Sequence, residues 1–295
     1  MKTKLFLTLG LVVIVAVLLT VYLTSGVNVE ILNPKGIIAE QQRDLIVLTV
    51  FLGLFVVIPV YIMTIFIIFR YHEGNKKAKY SPNFSDSLLA ETIWWGIPII
   101  IIVFLSIVTV VSTFKLDPHK PIVGDKDPLQ VQVVSLDWKW LFIYPEESVA
   151  SVNYAVIPEG RPVDFALTSD TVMNSFWVPQ LAGQIYNMPG MITHLNISAD
   201  KGSYNGSSAN ISGEGFAGMK FVIQATDQND YKSWIKKAQA SDNQLSQSAY
   251  DELYKPSKNN SVEQYSNVRD HLFNDVVNKY MMPDMSKNHS SEGDK

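Results

Sequence analysis

The apolar positions divide the chain into two regimes. Residues 5–23, "LFLTLGLVVIVAVLLTVYL", form one apolar run, and residues 45–69 and 92–114 form two more with no charged side chain. About 20 apolar residues in a helix cross the roughly 30 Å hydrocarbon layer of a bilayer. The pattern therefore predicts transmembrane helices over 45–69 and 91–114. Residues 1–26 read either as a signal peptide or as a first transmembrane helix. Lys2 and Lys4 ahead of the run and the small residues Thr24 and Gly26 behind it suit a signal, and the length suits an anchor. Pro59 and Pro98 fall inside the two later runs, where neighbouring helices can satisfy the freed backbone.

Beyond residue 115 the period changes. "LQVQVVSLDWKWLFIYP" begins by alternating apolar and polar side chains, as a half-buried strand does. "ESVASVNYAVIPEGRPVDFALTS" reads as two strands around a Pro/Gly turn, and "SFWVPQ", "THLNISAD" and "GMKFVIQAT" supply more. This predicts a small antiparallel β-sandwich or barrel over 125–226. From Asp227 the spacing turns helical: Tyr231, Trp234, Ile235 and Ala238 recur at i, i+3, i+4, i+7. "SQSAYDELY" and "VEQYSNVRDHLFNDVVNKYM" continue the pattern. Residues 227–283 are thus expected to form a helical extension outside the sandwich, and 284–295 a disordered tail.

Charge gives the orientation. The loop over 70–90 carries Arg70, Lys76, Lys77 and Lys79 against Glu73 and Asp86. A positive excess keeps a loop in the cytoplasm and can touch anionic lipid. Residues 27–44 and everything after 115 then lie on the outer side. The whole chain has a net charge of -4, which offers no basic face to nucleic acid. With no cysteine at all, the chain has no disulfide, no thiolate nucleophile and no thiolate-bound metal. The five histidines, His72, His119, His194, His271 and His289, show no ligand spacing and read as structural or solvated. No nucleophilic triad, phosphate loop or carboxylate pair stands out.

One segment resists this bland reading. "NGSSANISGEGFAGMKF", residues 205–221, has the small residues, glycine turns and closing methionine of a metal-binding loop, yet neither cysteine nor histidine.

Two membrane helices leading into a small outer β-domain resemble subunit II of the haem–copper terminal oxidases. "AETIWWGIPIIII" is similar to the family's start to its second helix. "LDWKWLFIYP" resembles its aromatic-rich strand, "MNSFWVPQLAGQIYNMPGM" its first copper-ligand segment, and residues 205–221 its second. The resemblance covers about 27–280 and implies a cupredoxin-like domain. The family pattern for a two-copper centre, laid on this chain, gives Asn174 for the first histidine and Ser208 and Ser212 for the two cysteines. Asn210 falls on a glutamate that binds through its carbonyl, Phe216 replaces the second histidine, and Met219 alone is retained. Bridging thiolates suit copper; serine hydroxyls are poor substitutes, phenylalanine has no donor, and a lone methionine tends to pack in a core. These positions therefore read as vestigial, with no metal in this chain. "SLDWKWLFIYPE", "GQIYNMPGM" and "GFAGMKF", with Asp137 and Lys139, are similar to the copper-less, quinol-oxidising branch of cytochrome bo type. Relatives in that branch often carry a lipid-accepting cysteine after the signal segment, where this chain has Val27.

The resemblance implies a subunit of a proton-pumping quinol oxidase in the bacterial inner membrane, without its own redox centre or catalytic residues. Haems and copper are expected in subunit I, with subunit I and further small membrane subunits as partners, and quinol as the substrate of the complex. Glu91, at the cytoplasmic edge of the 91–114 helix, corresponds to a family glutamate at the mouth of a proton path. It also suits a helix start by its charge alone. Trp138 and Trp140, two residues apart on one strand face, are expected in the core or at a subunit I interface. Trp94 and Trp95 suit an interfacial aromatic belt. The rival readings are a cytochrome c oxidase subunit, and a membrane-anchored binding or assembly module with no oxidase partner.

Overall fold

The computed structural model describes residues 29–72, 74, 75, 86–124 and 126–281. The readings of 1–26 and 284–295, and of Lys76, Lys77 and Lys79, lie outside them. Two long helices come first, α1 (Ile37–Arg70) and α2 (Leu88–Lys115). Both are long and apolar enough to cross a membrane. At 1.5 Å per residue they measure about 51 and 42 Å, so α1 overhangs the hydrocarbon by about 20 Å. Its first turns stand on the β-domain, where Ala39 is buried. Ser87 caps α2 by accepting from the Ala90 N–H.

The β-domain holds both outer ends. Before α1, the Lys35 N–H donates to the Gln180 carbonyl at 2.8 Å, and its carbonyl accepts from Asp200 at 2.9 Å. Gly36 passes so close that a Cβ would lie 2.5 Å from the Ser198 carbonyl. After α2, Asn196 donates to the Pro118 carbonyl through its backbone N at 3.2 Å and its Nδ2 at 3.1 Å. The N-terminus of α1 and the C-terminus of α2 thus lie on one side, and the C-terminus of α1 and the N-terminus of α2 on the other.

Two sheets make the sandwich. One has six strands: β1 (Leu129–Leu136), β2 (Lys139–Tyr144), β3 (Val149–Val152), β5 (Val163–Ser169), β8 (Thr193–Ile197) and β11 (Glu263–Tyr265). The other has five: β4 (Tyr154–Pro158), β6 (Asn174–Trp177), β7 (Ile185–Asn187), β9 (Gly202–Ser208) and β10 (Lys220–Thr226). The expected sandwich is present and most of its pairings are antiparallel, but β1 runs parallel to β5 and β10 parallel to β4. Between the sheets lies an aromatic core. Phe176 stacks on Phe221 at 4.8 Å, and Trp140 meets the two edge-on at 5.3 and 5.4 Å. Gly206, opposite Phe221 in the ladder, leaves room for that ring.

The C-terminal region does not lie wholly outside the sandwich, because part of it joins the six-stranded sheet. Its helices are α3 (Gln228–Gln239), α4 (Gln247–Tyr254) and α5 (Leu272–Met281). The spacing foresaw α3, which buries Tyr231, Ile235 and Ala238. The second predicted helix fits α4, but Glu263–Tyr265 form a strand that pairs with β3. A second core of Val134, Leu136, Leu141 and Ile143 against Tyr250, Leu272, Phe273 and Val276 closes the outer face of the six-stranded sheet.

Candidate functional site

The segment that resembles a copper loop starts inside a strand. Asn205 to Ser208 complete β9, and the loop proper runs from Ala209 to Met219 with a 3-10 turn at Phe216–Gly218. The Ser208 N–H donates to the Met219 carbonyl at 3.3 Å, and the Ala209 N–H to the Ser175 carbonyl at 2.9 Å. These bonds bring both ends of the loop to the start of β6, where Asn174 sits.

The side chains of five of the six expected positions make polar contacts in the site. The Ser208 hydroxyl lies 3.1 Å from Asn174 Oδ1 and 3.1 Å from the Asn210 carbonyl. Asn174 Nδ2 donates to the Val172 carbonyl at 3.1 Å, and Asn210 Nδ2 to the Met173 carbonyl at 3.1 Å. The Ser212 hydroxyl points at Met219 Sδ from 3.9 Å. Asn174, Ser208 and Met219 are buried, and Met219 packs in the inter-sheet core. Phe216 is half-buried and opens the 3-10 turn. The buried donors and acceptors here are satisfied by one another, which offsets their desolvation.

Trp138 and Trp140 do not share a strand face, which corrects the spacing argument. Trp138 sits in the β1–β2 turn with φ +64°, and that twist turns its ring onto the loop. Its Nε1 donates to the Ser212 carbonyl at 3.3 Å. A Cβ on Gly215 would lie 2.3 Å from the ring, so the glycine is required by the tryptophan. Lys258, paired with Glu214 at 2.8 Å, covers the ring at 5.6 Å. Trp140 is 0 % exposed; it is a core residue and presents no surface to a partner.

Two buried charges join the C-terminal region to the sandwich. Lys139 Nζ donates to the Leu253 and Lys255 carbonyls at 2.7 and 2.8 Å and to the Ser257 hydroxyl, closing the C-terminal end of α4 as a cation should. Burial pulls its pKa below the ordinary lysine value, against the opposing charge of Asp137. Asp170, 1 % exposed, accepts from Tyr250 at 2.6 Å, Lys279 at 2.7 Å and Tyr280 at 2.9 Å. Burial beside that carboxylate pushes both phenols far up. Sequence reasoning picked out Lys139 only by resemblance and passed over Asp170, since neither contact is local in sequence.

Glu91 lies in the first turn of α2, half-buried, at the end away from the β-domain. Among the described residues, no three His, Asp or Glu side chains gather to hold a metal. A two-copper centre does not fit the residues present: the positions that would need thiolates and imidazoles hold hydroxyls, amides and a phenyl ring.

Two family models match the chain. Residues 144–226 match the periplasmic domain of cytochrome c oxidase subunit II, and residues 239–284 the COX aromatic-rich motif. The chain is 48% identical over 259 residues to cytochrome bo(3) ubiquinol oxidase subunit 2 of Pseudomonas putida, across 88% of this chain and 82% of that one. It is 46% identical to the protein of that name in Buchnera aphidicola subsp. Baizongia pistaciae, across 87% and 91%. The quinol oxidase subunit 2 of Bacillus subtilis is 40% identical, across 85% and 80%. With a cupredoxin-like β-domain and, among its described residues, two helices long and apolar enough to cross a membrane, the chain belongs to the family of subunit 2 of the quinol oxidases.

Proposed function

We propose that this chain is the subunit through which electrons do not pass. As a membrane-anchored subunit of a quinol oxidase complex, it holds the complex together and covers the outer face of the catalytic subunit I. That subunit carries the haems and the copper, oxidises ubiquinol and reduces oxygen to water while protons move outward across the inner membrane. The observation that carries this reading is the Asn174–Ser208–Asn210 network, because its hydrogen bonds occupy the positions that a copper centre would need. Trp138, which would face an incoming electron carrier in a copper-bearing relative, is instead tied to Ser212 and capped by Lys258.

Glu91 is proposed as the mouth of a proton path into subunit I, supported by its place at the inner start of α2 and by the family motif. The test is an affinity tag on this chain and purification in mild detergent. A haem-bearing complex that consumes oxygen with quinol supports the reading; a chain that purifies alone supports an independent binding module instead. In the same complex, Glu91→Gln should slow quinol-driven oxygen uptake severalfold with the KM for quinol unchanged. An unchanged rate would leave Glu91 as a helix-start acid only.

A further inference from the structure

The sequence scatters its histidines, and the fold reunites two of them. His119 lies in the linker that leaves α2, and His194 on β8. Their ring centroids are 6.5 Å apart. Each ring turns its Nδ1 to a carboxylate: Asp164 lies 2.9 Å from His194, and Asp117 lies 3.4 Å from His119. An imidazole whose Nδ1 faces a carboxylate keeps its proton there, and its Nε2 lone pair is left as a donor. That arrangement stands behind most metal-ligating histidines.

The scaffold around the pair is built. Asn196, on the same face of β8 as His194, holds the linker by its two bonds to the Pro118 carbonyl. Asp117 also accepts from the His119 backbone N–H at 3.0 Å, and Asp164 sits across from Asn196 on β5. The imidazoles themselves reach solvent, with side chains 59% and 41% exposed, so ring rotation is open to them.

We propose that His119 and His194 form a two-imidazole site for a borderline divalent ion, zinc or copper(II), completed by water at the junction of α2 with the outer domain. Imidazole nitrogen suits these metals. With metal–nitrogen bonds of about 2.1 Å and a near-tetrahedral angle, the two centroids would stand about 5 Å apart. The rings must close by about 1.5 Å, which requires the His119 side chain, 59% exposed, to rotate toward His194. Asp117 and Asp164 remain as outer acceptors and offset the charge of the ion; Lys120, next in the linker, is the nearest cation in sequence. A bound ion would staple the linker to β8, and so hold the membrane helix against the sandwich.

The test uses the intact oxidase complex, dialysed against micromolar zinc chloride, with retained zinc measured by atomic emission. The wild-type complex should hold one more zinc per chain than the His119→Ala/His194→Ala double variant. Asp164→Asn should keep the stoichiometry and weaken the affinity by about 10- to 100-fold. As a second readout, copper(II) bound to the wild type should show electron spin resonance couplings to two imidazole nitrogens, absent from the double variant. Unchanged zinc-free oxygen uptake shows that the variants assemble. Equal zinc retention by wild type and double variant overturns the site, and a wild-type affinity in Asp164→Asn overturns the part given to the carboxylate.

Discussion

Gly215 decides where Trp138 can lie. The indole covers the glycine so closely that a methyl group would stand 2.3 Å from the ring. Overpacking of this kind costs about 1–3 kcal/mol. Gly215→Ala should therefore lower the stability of the outer domain by about that amount, read by denaturant titration; a neutral substitution would show that the ring is free to move. The sequence displayed the glycines and the tryptophans but not their relation, because the left-handed backbone of Trp138 is not a property of its residue type. The absence of thiolates was fully legible. What replaced them was not, since hydrogen bonds between Asn174, Ser208 and Asn210 join residues from two strands and a loop.

The elements carry a second lesson, best seen in the C-terminal region. Helical spacing identified α3, but "EQY" is too short to show a strand period, and its partner β3 is remote in sequence. The parallel pairing of β1 with β5 and of β10 with β4 was equally hidden. The region is held by charges as well as by apolar packing. Removing a buried acceptor leaves its buried donor unpaired at about 1–3 kcal/mol, here the Tyr250 hydroxyl, so Asp170→Ala should loosen α5, seen as faster protease cleavage beyond residue 269. Unchanged resistance would assign the attachment to the apolar cluster alone. Asp227 gives α3 a pH dependence. Bonds from the Asp230 N–H and Lys201 hold its carboxyl down from 3.8 to about 2. A depressed carboxylate stabilises the fold above its unfolded value and stops doing so as pH falls through its folded value. The protection of the α3 amides, taken relative to the intrinsic exchange rate at each pH, should therefore fall as the pH falls from about 4 to 2. Asp227→Asn should remove that step; a step that persists would belong to another group.

At the scale of the whole molecule, the three layers have separable tasks. Two helices of about 51 and 42 Å are long and apolar enough to cross a membrane, and their ends on the side of the β-domain are tied to the sandwich through Lys35, Gly36 and Asn196. The sandwich has the fold of the cupredoxin-like periplasmic domains of subunit II, and the C-terminal region, through Lys258, covers the tryptophan beside its loop. Length and hydropathy made the membrane segments legible, although α1 begins well before its uncharged stretch. There its polar turns stand on the domain rather than in the bilayer. The central claim is that electrons reach the oxidase without crossing this chain. Its most direct test is oxygen uptake by the purified complex, supplied in turn with a reduced quinol and with reduced cytochrome c. Uptake is expected with quinol alone; uptake driven by cytochrome c would show that electrons enter by another route and overturn the proposed function.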